Sequence, residues 1–337
     1  MIDVGDKNLI TDVPGIKVGH ANSSDYITGT TVLVGDTPMI AAVDCRGGAP
    51  GTHETDVLLL ESTVQKIDAI VLSGGSAFGL ESVYGVMKYL RQLDRGFKAA
   101  TSRVPIVPAA VIFDLIDGSE KKWNQKSPYQ GLGLKAIQNA STMFNLGNNG
   151  AGLGAKAGLL KGGLGSASYV VNFDNSRKIT LGALVVVNSY GSVVIPGTSC
   201  FWSFPFEHNN EFGGQIFTEK SSLLTDDQNE FKQPFSGTNT TLAIIATDAM
   251  LTKTQARRLA IMAQDGLARA IRPIHTAFDG DIVFAVSTGQ QILDKVDYEL
   301  MKLGMYAADC LSRAVARGVY MAKSVNGYQS YRDFYKI

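Results

Sequence analysis

The chain has 337 residues, 45% of them hydrophobic, and its 31 Lys and Arg are balanced by 31 Asp and Glu. That length supports one large core or two smaller ones, and the charge balance, with no dense basic cluster, lacks the electrostatic footprint of a nucleic-acid binder. No uninterrupted apolar stretch approaches the roughly 18 residues of a membrane span, so neither nucleic acid nor a bilayer is an expected partner.

The start, MIDVGDKNLITDVPG, has no basic segment followed by an apolar one, so the expected location is the cytoplasm. Strand-like apolar runs follow in order: TTVLVG, MIAAVD, AIVLSGG and PIVPAAVIFDL, then ALVVVN and GSVVIPG further on. Much of the chain's glycine, 36 residues in all, sits beside these runs, where it marks tight turns and close approach between layers. A helix is predicted from Ala77 to about Leu93, after AIVLSGG. The polar stretch from Glu207 to Gln233 has weak periodicity and reads as a long surface loop.

The stretch FSGTNTTLAIIATDA then joins a polar turn directly to an apolar, β-branched run that reads as a buried strand. Turn chemistry alone accounts for its Asn, Gly, Ser and Thr residues. Asn239-Thr240-Thr241 also fits a glycosylation pattern, but nothing at the start of the chain supports a secretory reading. A helix is predicted from Thr252 to about Arg272, opened by Thr252 and Gln255 as a capping box. Asp281 to Thr288 reads as a strand, and Leu293 to about Met321 as a second helix. Alternating strands and helices predict sheets covered by helices on their outer faces. With no solenoid repeat and no low-complexity linker, one domain over 1–337 is expected.

Few motifs carry chemistry by themselves. The run GAGLGAKAGLLKGGLG, 150–165, lacks the spacing of a phosphate loop or a dinucleotide fingerprint. Its glycines let backbone approach a site closely, and either Lys156 or Lys161 can supply an ammonium there, or both are solvated beside a packed layer. Asp279-Gly280-Asp281 places two carboxylates just before a strand. They read either as a functional pair or as a solvated turn, and with His275 as the sole further ligand nearby a metal is not favoured. His20, His53, His208 and His275 form no triad pattern, and neither GxSxG nor HExxH occurs. The three cysteines, Cys45, Cys200 and Cys310, are odd in number and far apart, which argues against a disulfide framework or a metal knuckle and predicts buried thiols. A free α-amine, which ordinarily titrates at roughly pH 8, remains as a candidate base for a hydroxyl nucleophile.

Taken in order, ITDVPGIKVGH at 10–20, TGTTVLV at 28–34, AAVDCRGGAPGTHETDVL at 41–58, VLSGGSAFGLES at 71–82, GAGLGAKAGLLKGGLGSAS at 150–168 and NTTLAIIATDA through HTAFDGDIVFAVST resemble peptidase family S58. That family includes the D-aminopeptidase DmpA, β-aminopeptidases and the nylon-oligomer hydrolase NylC. The resemblance implies an α/β/β/α sandwich like that of ornithine acetyltransferases, with self-cleavage on the N-terminal side of a Ser or Thr that becomes the nucleophile. The matching bond here is Asn239-Thr240, which would give chains of 1–239 and 240–337.

Carried over residue by residue, the resemblance implies Thr240 as nucleophile and Asn188 as an oxyanion donor. Lys161 would tune the pKa of the Thr240 amine, and Asp279 and Asp281 would orient it. A family Tyr falls at Phe113, which lacks the hydroxyl. Thr240 and the Asp-Gly-Asp pair look more like the nylon-hydrolase branch than the β-aminopeptidase branch. No cofactor or metal is implied, the expected substrates are short peptides or ω-amino oligoamides, and the family commonly forms tetramers of the cleaved unit. An acyltransferase using the same Thr, or a binding protein that never cleaves, are the alternative readings.

Overall fold

A computed structural model describes residues 2–115, 121, 123, 126–174, 177–217, 239–325 and 327–337. Ten strands form its largest sheet: β1 (Ile2–Val4), β2 (Ile16–Ser23), β3 (Thr28–Cys45), β4 (Thr52–His53), β5 (Lys66–Ser73), β6 (Ala109–Val111), β7 (Gly163–Asn172), β8 (Lys178–Asn188), β9 (Thr240–Ala249) and β10 (Ile282–Gln291). The hydrogen-bonded order is β1-β7-β8-β9-β10-β3-β5-β6-β4, with β2 on the other side of β3.

TTVLVG and MIAAVD, two runs in the sequence, are halves of the single 18-residue strand β3. Its first half pairs with β2 and β5, from Ser23↔Thr28 to Val34↔Ala69, and its second half pairs with β10, from Ser287↔Ile40 to Ile282↔Cys45. Register shifts between Val34 and Met39. The strand therefore passes from one layer to another at that irregularity, as bulged strands do.

Three buried clusters define the layers. The central one joins Leu33, Ile70 and Leu72 to Leu242, Ile244, Ile282 and Phe284, side chains from two facing sheets. The intervening residues point the opposite way, as a period of two requires. Ala243, Ile245, Val283 and Ala285 pack under α3 (Lys253–Ala270) and α4 (Val296–Tyr320). On the far side Val32, Val34, Ala69 and Val71 pack under α1 (Ser82–Gln92) and α2 (Tyr129–Gln138). The arrangement is helix, sheet, sheet, helix, the expected α/β/β/α sandwich.

Helix α3 begins where the sequence places it: the Gln255 N–H donates to Thr252 Oγ1 at 3.2 Å, and the Thr252 N–H to Gln255 Oε1 at 2.8 Å. Its buried Ala256, Leu259, Ala260, Ala263 and Leu267 form the i, i+3, i+4 stripe of a half-buried helix. The helix expected from Ala77 opens as a 3-10 turn, Ser76–Glu81, before α1.

Other expectations are corrected. Helix α2 has no clear mark in the sequence, because Gly131 and Gly133 weaken its signal; Gly133 is needed because a Cβ there would lie 1.9 Å from the Ser82 carbonyl oxygen of α1. GSVVIPG is not a strand: Val193, Val194 and Ile195 are buried, but only single bridges, Ser192↔Arg272 and Val194↔Phe201, tie it down. Within the stretch read as a surface loop, Phe212 is buried and Glu211 pairs with the Arg313 guanidinium of α4 at 2.6 Å; residues 218–233 of that stretch lie outside the described residues. Cys200 and Cys310 are buried, whereas Cys45, at the open end of β3, is exposed. Among the described residues no helix is long and apolar enough to cross a membrane.

Candidate active site

Strand ends converge on the junction of Asn239 and Thr240. Asn188, the last residue of β8, is the register partner of Thr240, the first of β9. On the other side β9 runs parallel to β10, with Leu242 opposite Ile282, and the Asp-Gly-Asp turn stands at the same level, where Asn239 bridges Asp279. Asn239, Asp279 and Asp281 are fully buried, and Thr240 and Asn188 are nearly so.

The Thr240 hydroxyl donates to the Asn239 carbonyl oxygen at 2.5 Å, and the Gly280 N–H donates to the same oxygen at 2.8 Å. Gly280 is placed for this by the glycine-rich segment after β3: the Arg46 and Gly47 N–H groups hold the Asp281 carbonyl, and the Ala49 N–H holds that of Asp279. Two donors on one carbonyl polarise it toward acyl transfer, as donors aimed at a developing oxyanion do. Sequence reasoning does not single out the Gly280 N–H as a donor at this junction; the one signal for it is its place between two candidate carboxylates.

The two carboxylates have different partners. Asp281 accepts the Thr241 N–H at 2.7 Å through Oδ1, and through Oδ2 it accepts the His275 N–H and faces His275 Nδ1, both at 3.0 Å. Asp279 accepts the Thr276 N–H and hydroxyl through Oδ2, and the Tyr190 backbone N–H also faces its carboxylate. Burial, then the charge of Asp281, push the Asp279 carboxyl pKa up. These carboxylates therefore hold the residue after Thr240 and the loop beneath it. Among the described residues no group of three His, Cys, Asp or Glu is placed to hold a metal ion.

Lys161 is buried, and its ammonium donates to the carbonyls of Gly152, Ala155 and Gly162 at 2.8–2.9 Å. Three carbonyls on one nitrogen require the charged form, which alone has three N–H donors. Burial lowers its pKa to about 7, with Asp114 pulling the other way. Lys161 reaches the strand ends through one peptide unit. The Ala155 carbonyl accepts from Lys161, and the Lys156 N–H of the same unit donates to Asn188 Oδ1 at 3.0 Å. The Asn188 amide in turn donates to the Phe113 carbonyl at 3.3 Å. The Lys156 side chain instead lies over the Tyr328 ring, 4.5 Å from its centre. The residues alone could not separate the two lysines; in the fold they differ in burial and in partners.

His20, His53 and His208 lie on other elements. His20 bonds Thr31 and is pushed down to about 4 by burial, and His208 bonds the Tyr169 hydroxyl.

Comparison with known proteins follows the same lines. The profile of peptidase family S58 matches residues 8–332. A protein of Mycobacterium bovis named as an uncharacterised aminopeptidase is 41% identical, over 97% of this chain and 98% of its own length. A 6-aminohexanoate-oligomer endohydrolase from Kocuria sp. strain KY2 is 28% identical, over 85% of this chain and 76% of its own. Among solved structures, a β-aminopeptidase of Burkholderia sp. superposes with a TM-score of 0.69 at 24% identity, covering 96% of this chain and 90% of that one. The L-aminopeptidase D-Ala-esterase/amidase of Ochrobactrum anthropi, described as a variant of the Ntn-hydrolase fold, gives 0.69 at 21%, covering 95% and 88%. The sandwich is therefore that fold variant, and with the profile spanning nearly all of the sequence, the chain belongs to peptidase family S58.

Proposed function

We propose that this amide-bond hydrolase is made as a precursor that cuts its own Asn239–Thr240 bond, and that the Thr240 so freed is its nucleophile. The observation that carries the reading is the pair of donors, the Thr240 hydroxyl and the Gly280 N–H, on the Asn239 carbonyl oxygen. In the first step Thr240 Oγ1 bonds to the Asn239 carbonyl carbon, the C–N bond breaks, and the hydroxyl proton passes to the departing Thr240 nitrogen. Water then hydrolyses the Asn239 ester, leaving a carboxylate on 1–239 and a free α-amine on 240–337. In turnover that amine takes the Thr240 hydroxyl proton, an acyl group transfers from the substrate amide to Oγ1, and water releases it.

Lys161 holds positive charge close to the strand ends, which disfavours an ammonium on Thr240 and keeps the base neutral. Asn188 supplies an amide donor at the register position of Thr240, suited to an oxyanion. The substrates are short peptides or ω-amino oligoamides, the classes named for the relatives. The two chains stay together as one domain, because β9 is paired on both sides with β8 and β10. The cleaved unit acts in the cytoplasm as a tetramer.

Intact-mass measurement and N-terminal sequencing of purified protein test this. Two polypeptides are expected with no added protease, the smaller beginning Thr-Thr-Leu-Ala, while Thr240→Ala stays whole, folded and inactive. A fully active sample consisting only of the intact chain would overturn the mechanism.

A further inference from the structure

We propose that Asp114, outside every residue assigned above, is a positioning residue for the Thr240 centre, bracing at once the peptide that holds Asn188 and the turn that cradles Lys161. The inference rests on the Thr240 reading and adds a residue to it.

The geometry is specific. The Phe113 carbonyl that accepts the Asn188 amide belongs to the peptide bond between Phe113 and Asp114, so any tilt of Asp114 moves the acceptor of Asn188. The Asp114 carboxylate is buried and reaches three further segments: Oδ2 accepts the Thr28 hydroxyl at 2.7 Å, Oδ1 accepts the Gly75 N–H at 2.8 Å, and Oδ1 lies 3.3 Å from the Lys121 ammonium. Two glycines make room for it. A Cβ on Gly74 would stand 2.1 Å from Oδ2, and one on Gly154 would stand 2.5 Å from the same atom. Gly154 lies in the turn whose Gly152 and Ala155 carbonyls receive the Lys161 ammonium. The carboxylate thus occupies a slot between the end of β5 and the Lys161 cradle, with Tyr129 of α2 behind Thr28.

A carboxylate serving the fold alone would need only its donors. This one also carries charge to Lys161, whose proton affinity it raises against the effect of burial. The groups facing Asp114 are the cation Lys121 and the neutral Thr28 and Gly75, with Lys161 across Gly154. Burial raises the pKa of Asp114 itself, and Lys121 lowers it. Because the three-carbonyl cradle fits only the ammonium, loss of the Lys161 proton unmakes the arrangement, and removing the Asp114 charge makes that proton easier to lose.

The test is Asp114→Asn, which keeps the shape and removes the charge, with Thr240→Ala and wild type alongside. Self-cleavage is scored by intact mass, and turnover of alanine p-nitroanilide is followed across pH. Asp114→Asn is expected to lower kcat on the order of 10- to 100-fold with KM little changed, and to move the alkaline limb of the profile to lower pH by about one unit. A purely structural carboxylate would lower the amount of folded enzyme and leave the profile where it was. Should Asp114→Asn fail to fold, Thr28→Val, which removes the hydroxyl donated to Oδ2, is read the same way and is expected to shift kcat in the same direction. If Thr240→Ala is uncut and inactive while the folded Asp114 or Thr28 variant keeps the wild-type profile and kcat, the Asp114 proposal alone is overturned. If Thr240→Ala still cleaves and turns over, the Thr240 reading fails, and this proposal with it.

Discussion

Gly280 donates its backbone N–H to the carbonyl oxygen of Asn239 at 2.8 Å, on the far side of a peptide bond whose next residue, Thr240, donates to the same oxygen. Gly280 also stands close to the proposed nucleophile, since a Cβ built on it would sit 2.8 Å from both Thr240 Oγ1 and the Ala49 carbonyl oxygen. Gly280→Ala is therefore expected to displace the hydroxyl or the donor by a fraction of an ångström and to slow self-cleavage on the order of 10- to 100-fold. The fraction of uncut chain by intact mass, followed over hours after purification, gives the answer. Cutting at the wild-type rate would mean that Gly280 is a turn residue and no more.

Asp279 and Asp281 are expected to respond differently to the amide. Asp281 accepts from Thr241 on one oxygen and from His275 on the other. In Asp281→Asn an NH2 group must face one of those donors, at a cost of about 1–3 kcal/mol and a lower melting temperature. Asp279→Asn can keep its oxygen toward both donors of Thr276 and turn its NH2 to the side of Oδ1, where the Tyr190 N–H is the one donor nearby among the described residues. It should change stability by less than Asp281→Asn does while losing activity with the charge. Thermal unfolding of both variants, read beside p-nitroanilide turnover, checks this; equal destabilisation would contradict the hydrogen-bond assignment.

Asp248 provides a stability test away from the site. It is buried on β9 and accepts the Thr180 N–H at 2.8 Å, and burial raises its pKa from 3.8 to about 6. Between those values the folded chain holds a proton that the unfolded chain has released, so stability falls as pH rises through the window and the penalty is constant above it. Asp248→Asn keeps the acceptor without the charge. It should be more stable than wild type at pH 7.5, on the order of 2 kcal/mol, with the advantage gone near pH 4. Urea unfolding at both pH values measures it, and an advantage independent of pH would rule out burial of charge as its source.

The three thiols should separate cleanly. Cys45 is exposed, whereas Cys200 and Cys310 are buried, with burial pushing their pKa values up to about 11 and about 12. A thiol-exchange reagent at neutral pH is expected to find one reactive group per native chain and three after denaturation. The native reaction should be slow, because partial burial and the charges of Asp281 and Asp44 hold Cys45 in its thiol form, and it should quicken at higher pH. Two or more groups reacting promptly in the native protein would contradict the packing around α4.

Local elements and the order of the motifs are written in neighbouring residues. The runs LAIIA and DIVFAV mark strands with two covered faces, and Thr252 with Gln255 marks the start of α3, because periodicity and capping are properties of residues close in the chain. The Asn239–Thr240 junction and the Asp-Gly-Asp turn are legible for the same reason, as turn chemistry set against core strands. The packed fold settles what those signals could not contain. It makes TTVLVG and MIAAVD one strand that changes layers, buries Glu211 against Arg313, exposes Cys45, and closes three carbonyls around Lys161 while laying Lys156 over the Tyr328 ring. It also brings Phe113, Asn188 and Thr240 to one place from segments far apart in the chain, with Asp114 wedged behind them. Strand pairing and layer packing are long-range contacts, and no local pattern specifies which buried carboxylate or ammonium they will bring to the end of a given strand.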